Sequence, residues 1–208
     1  IDYIAGTSVG SIIGGLYASG MSIDEIEKVV VGSNLDEIFK DRQSREDMAI
    51  RRKFDHRIFQ LDKNIGIKQG KVQFPTGLRQ GQKLDLFLNK LLLSVTQTHN
   101  FDELPIPFRA VATDIETGSS VVLSRGNIAT AIRASMSIPA VFGDVKMNGH
   151  TLVDGGISNN MPVDVVRAMG ADVVIAVDIG SRLLEKDKLG SALGISLQLT
   201  NLLVRRTT

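Results

Sequence analysis

Five residues near the start of the chain constrain its architecture more than anything else in it. Gly6-Thr7-Ser8-Val9-Gly10 follows an apolar, strand-like run, Ile1-Asp2-Tyr3-Ile4-Ala5. It leads into Ser11-Ile12-Ile13-Gly14-Gly15-Leu16-Tyr17-Ala18, which reads as a helix. A Gly-x-Ser-x-Gly set between strand and helix is a nucleophile elbow, a tight turn that lifts the serine hydroxyl above a sheet. Ser8 is thereby the candidate nucleophile for acyl transfer. Gly6 and Gly10 are expected to be required, because a side chain at either would collide with neighbouring backbone. The helix that opens here offers unpaired N–H groups and its positive dipole end to whatever Ser8 attacks.

The remainder alternates in the way such an elbow demands. Short β-branched runs at 107–113, 120–124, 141–147 and 171–177 read as strands. The last is almost wholly apolar, as befits a central parallel strand covered on both faces. Helical stretches lie between them. Ser22-Ile23-Asp24-Glu25 has capping-box spacing and opens a helix to about Val31. Apolar positions 84, 87, 88, 91, 92 and 95 keep helical period, and 129–136, 162–169 and 189–204 complete the set. The pattern predicts an α/β/α sandwich of three layers around a mostly parallel central sheet. At 208 residues, the chain is expected to form one domain. Residues 55–81, rich in glycine and polar residues, read as an excursion near the site mouth with a hairpin across 67–74. Leu86 and Leu93 fall off the main face of their helix. The preferred reading is a helix buried on two sides, the other a membrane-contacting lid.

Several function classes drop out. A net charge of +1 lacks the basic excess of a nucleic-acid binder, and Arg51-Arg52-Lys53 and Arg205-Arg206 read as solvated surface. Without cysteine there is no thiol nucleophile, disulfide or thiolate metal site. No apolar run approaches the roughly 18 to 20 residues of a membrane span. Gly66 to Lys71 has the wrong spacing for a phosphate-binding loop and no following Ser or Thr. No metal and no cofactor are implied.

A serine hydroxyl needs a base. His56 lies in a charged stretch, His99 in a polar turn and His150 after a hairpin-like Asn148-Gly149, so each reads as a surface histidine. The carboxylate candidate is Asp154, at the end of a short strand and followed by Gly155-Gly156-Ile157-Ser158-Asn159-Asn160-Met161-Pro162. Gly155 and Gly156 allow close approach to another loop, and Asn159 or Asn160 is placed to cap the next helix. An ordinary Asp-Gly turn explains these residues equally well. A third block, Ala134-Ser135-Met136-Ser137-Ile138-Pro139, reads as structural support for the site.

Together the elbow at 6–10, the Ala-Ser-x-Ser-Ile-Pro block and Asp154-Gly155-Gly156 resemble the patatin-like phospholipase family. The likeness covers nearly the whole chain, with Gly15 to Gly20 and Leu104 to Asp114 closest to bacterial members, both autotransporter passenger domains and cytoplasmic forms. The resemblance implies a Ser–Asp dyad hydrolase acting on acyl esters of phospholipids or related lipids, with Ser8 as nucleophile and Asp154 as base. It makes Val9 N–H an oxyanion donor and places a first strand and a glycine-rich oxyanion loop before Ile1, so residues 1–208 are expected to be a domain incomplete at its N-terminus. Peripheral contact with a membrane fits that substrate, and the compartment would be the cell surface for an autotransporter and the cytoplasm otherwise. Two rivals stay open: a non-catalytic lipid-binding module and a general esterase or acyltransferase.

Overall fold

The computed structural model describes residues 1–33, 38, 66–68, 71–73, 77–79, 81–180 and 183–208. Arg51-Arg52-Lys53, His56 and most of the expected excursion lie outside the described residues.

Strand β1 (Ile4–Thr7) runs straight into helix α1 (Val9–Ala18), so the expected strand–serine–helix order is present. Helix α2 (Ile23–Gly32) starts on a capping box: Ser22 Oγ accepts from Glu25 N–H, and Glu25 Oε2 accepts from Ser22 N–H at 2.9 Å. The short strands β2 (Gly66–Lys68) and β3 (Lys71–Gln73) form the antiparallel pair expected of a hairpin. Strand β4 (Gly77–Arg79) precedes helix α3 (Gln82–Leu91). Then come β5 (Phe108–Asp114), β6 (Ser120–Leu123), helix α4 (Ile128–Ser135), β7 (Ala140–Phe142), β8 (Val145–Met147) and β9 (His150–Asp154). Helices α5 (Val163–Ala168) and α6 (Ala192–Arg206) close the chain.

The α/β architecture is as expected, but the described sheet is mixed rather than mostly parallel. β1 pairs with β5 in parallel, and β4 with β7. The pairs β5–β6, β5–β9 and β8–β9 are antiparallel. For the β5–β6 and β8–β9 pairs connection length decides this, since a parallel pair needs a crossover of a dozen or more residues. Only a short turn separates β5 from β6. At β8–β9 the turn is Asn148 and Gly149, whose φ values of 53° and 82° are those of a tight hairpin. The 141–147 run is accordingly two strands with different partners.

The strand covered on both faces is β5, in which six of seven residues are buried. The expected central strand at 171–177 is not one: no described strand pairs with it, and Val173 and Ile175 are 83% and 86% exposed. Its apolar sequence suits a sheet interior, but hydrogen-bonded neighbours are what make a strand. Below β5, α1 and α4 pack together, and Leu16, Phe101, Phe108, Ile128, Ile132 and Leu152 form the core between them. Helix α3 packs on α4 through buried Leu84 and Leu88, while Leu86 and Leu93 stand exposed. That helix is therefore not buried on two sides, and none of its residues lines the site cavity. Among the described residues no helix is long and apolar enough to cross a membrane.

Candidate active site

The site is made by two strands sharing one edge of a third. β1 occupies the first half of that edge of β5, with Thr7 opposite Val111. β9 arrives from the other direction and takes the second half, with Asp154 opposite Ala112. Thr7 and Asp154 thus face consecutive residues of β5. The residue after Thr7 is Ser8, which the register delivers to Asp154 across 146 residues of sequence. Ser8 Oγ–H donates to Asp154 Oδ2 at 2.7 Å.

Each partner is fixed by its surroundings. Ser8 takes φ 54° and ψ −123°, a backbone conformation costly for any residue but glycine. Its N–H donates to Ser135 Oγ at 2.9 Å, and its carbonyl accepts from Ser11 N–H and Ser11 Oγ–H. Asp154 is 3% exposed. Its Oδ1 accepts from Gly156 N–H at 2.7 Å, which turns Oδ2 toward Ser8. Its own N–H donates to Ser137 C=O, and its C=O accepts from Thr113 Oγ–H, both at 2.9 Å. Thr7 Oγ–H binds Asn159 C=O, tying the elbow to the loop beyond Asp154. Burial pushes the Asp154 carboxyl up to about 6, against the opposing pull of the Ser8 and Gly156 donors.

The four expected glycines divide. A Cβ on Gly6 would lie 2.6 Å from the Gly10 carbonyl carbon and 2.7 Å from Ser11 N. On Gly155 it would run into the Val111 carbonyl, and on Gly156 it would lie 2.9 Å from Val204 Cγ2 and 3.0 Å from Asp154 Oδ1. Gly10 is different: a Cβ there meets nothing within 4 Å, so the expected collision does not occur. The helix carries Gly10 outward, while Gly6 lies under its first turn. Asn159 and Asn160 also depart from expectation, since α5 has no side-chain cap and Asn159 Nδ2 instead donates to Asp164.

Ser8, Val9 and Asp154 line a cavity of about 580 Å³. Ile13, Met161, Val166, Leu197 and Val204 give it an apolar wall, and the 174–180 segment runs along it. Val9 N–H belongs to the first turn of α1, where helical amides have no acceptor within the helix. His150 lies away from this cavity and pairs through Nδ1 with Asp114 Oδ2 at 2.9 Å. The imidazole, with Glu116 N–H, holds the Asp114 carboxyl below its ordinary value. His99 is exposed and does not line the cavity either. Among the described residues no group of three or more His, Asp or Glu side chains is placed to hold a metal ion. Ser135 is the residue whose part the sequence understated. Its signal was the small-residue block at the end of α4, where a buried hydroxyl can reach backbone groups of another segment.

The family model for patatin-like phospholipase matches residues 1–167. The chain is 32% identical over 184 residues to patatin-like phospholipase domain-containing protein 7 of Rattus norvegicus, covering 88% of this chain and 12% of that protein. It is 31% identical over 176 residues to an uncharacterized NTE family protein of Mycobacterium tuberculosis, covering 85% and 40%. Patatin-like phospholipase domain-containing protein 6 of Mus musculus is 29% identical over 184 residues. The chain therefore spans well under two thirds of the length of these relatives.

Proposed function

The chain belongs to the patatin-like phospholipase family, and from that premise we propose that it is a lipid acyl hydrolase using Ser8 as nucleophile and Asp154 as base. The observation that carries this reading is the 2.7 Å hydrogen bond from Ser8 Oγ to a buried carboxylate at the edge of an apolar cavity. A fatty-acyl chain enters along the wall of Ile13, Met161 and Leu197, which brings its ester carbonyl to Ser8. As Ser8 Oγ attacks, its proton passes to Asp154 Oδ2. A carboxyl raised to about 6 is a stronger base than a solvated aspartate and is still ionised at neutral pH.

The carbonyl oxygen becomes an oxyanion, and Val9 N–H donates to it; one such donor is worth on the order of 3 kcal/mol. Collapse of the tetrahedral intermediate breaks the ester C–O bond, and protonated Asp154 returns its proton to the departing alcohol. Water then attacks the acyl-Ser8 ester, losing a proton to Asp154, and the fatty acid leaves as Ser8 is regenerated. Phospholipids and lysophospholipids are the proposed substrates.

The test uses the full-length protein with phospholipid vesicles, a fluorogenic acyl ester and a fluorophosphonate probe. Ser8→Ala and Asp154→Asn are each expected to lower turnover by a factor on the order of 10⁴. Wild-type protein that neither labels nor releases fatty acid would leave a non-catalytic lipid-binding module. Acyl transfer to an added alcohol in preference to water would make it an acyltransferase.

A further inference from the structure

Within the elbow, the Ser8 amide goes neither to the helix nor to the sheet ladder. Its acceptor is the side chain of Ser135, at the last residue of α4 and 0% exposed. The same hydroxyl donates to Val111 C=O at 2.6 Å. Val111 is the last β5 residue paired with β1, and its neighbour Ala112 pairs with Asp154. Ser135 therefore sits at the break where one strand ends and the other begins. Two residues on, Ser137 C=O accepts the Asp154 N–H at 2.9 Å, and Ser137 Oγ accepts from Arg133 Nη1 at 2.6 Å. One three-residue segment holds Ser8 by its amide and Asp154 by its amide.

We propose that Ser135 is a positioning residue for the Ser8–Asp154 pair, its hydroxyl relaying between Ser8 N–H and Val111 C=O so that the nucleophile is held in its left-handed backbone conformation with Oγ on Asp154. This rests on the reading of Ser8 as nucleophile and Asp154 as base given above. A hydroxyl suits the task because it accepts and donates at once. A positive φ at a non-glycine residue persists only where the surroundings enforce it. With Ser8 N–H engaged by Ser135, the next amide along the elbow, Val9 N–H, remains for the oxyanion. Because Ser135 does not line the cavity, its loss acts on the chemical step and leaves substrate binding unchanged.

In the full-length protein, wild type, Ser135→Ala and Ser135→Cys are compared for fluorophosphonate labelling, kcat and KM, each as a function of pH. Ser135→Ala leaves two buried backbone groups without a partner, and kcat and labelling rate are expected to fall about 10- to 100-fold with KM within about twofold. The near-isosteric thiol, a weak donor and acceptor, is expected to fall between. The acidic limb of the rate profile moves to higher pH in the alanine variant, since a displaced Ser8 no longer donates to Asp154. Wild-type labelling rate and an unmoved limb in either folded variant would overturn the proposal; should Ser135→Ala not fold, Ser135→Cys decides alone. Failure of wild-type protein to label at Ser8 would instead refute the nucleophile reading beneath it.

Discussion

Asp154→Asn is expected to make the protein more stable while making it inactive. In the folded state the carboxyl titrates at about 6, against an ordinary 3.8, because burial disfavours the charge. Between those two values the folded state keeps a proton that the unfolded state has lost, so stability falls as pH rises through that window. Above about pH 7 the accumulated cost is about 3 kcal/mol, at 1.36 kcal/mol for each factor of ten. Asparagine never carries the charge. Its Oδ1 still accepts from Gly156 N–H, and its Nδ2 can donate to Ser8 Oγ, so the shape and pairing of the site survive. Allowing for an amide's imperfect match to the protonated acid, the net gain at pH 8 is about 1–3 kcal/mol. For a domain of this size that raises the unfolding temperature by about 3–10 °C. The assay is thermal unfolding of wild type and variant at pH 4.5 and pH 8, with ester turnover measured beside it. The gain is expected to be largest at pH 8 and smaller by about 2 kcal/mol at pH 4.5, where the folded wild type is protonated. A variant no more stable at pH 8, or a gain equal at both pH values, would refute the claim that Asp154 is a desolvated carboxylate held against its preference.

The same titration sets the rate profile: kcat/KM is expected to rise with pH through about 6 as Asp154 ionises, and His150→Ala, on the β8–β9 hairpin, should leave that limb and kcat unchanged in a pH series. Loss of activity in the histidine variant would bring His150 into the reaction. The glycines should separate cleanly: Gly6→Ala and Gly155→Ala each drive a methyl into backbone and are expected to cost at least about 3 kcal/mol and abolish labelling of Ser8. Gly10→Ala has room, and its unfolding temperature should stay at or slightly above wild type, a shift of under about 1 kcal/mol.

The elements that could be read directly were those written in a few adjacent residues. Gly6 to Gly10 specified a strand, a strained serine and a helix start. Ser22 and Glu25 specified a capping box, and Asn148-Gly149 a hairpin turn. In each, sterics and hydrogen bonds between near neighbours suffice, so a short window of sequence carries the structure. What eluded the sequence was long-range. Residues 171–177 have the composition of a central strand, yet β5 is the strand covered on both faces. Gly10 matches the motif as well as Gly6 does, yet only Gly6 lies beneath backbone. Ser135 looked like packing until its hydroxyl was seen between Ser8 N–H and Val111 C=O.

The amino-acid order thus established an α/β chain with a serine at a strand end and named Asp154 as one candidate for its base among other readings. Tertiary structure alone brought the two together, by laying β1 and β9 end to end along β5 so that residues 8 and 154 share one position on its edge. Register between distant strands depends on which backbone groups find each other and what the core buries, a property of the assembled sheet that no single segment contains.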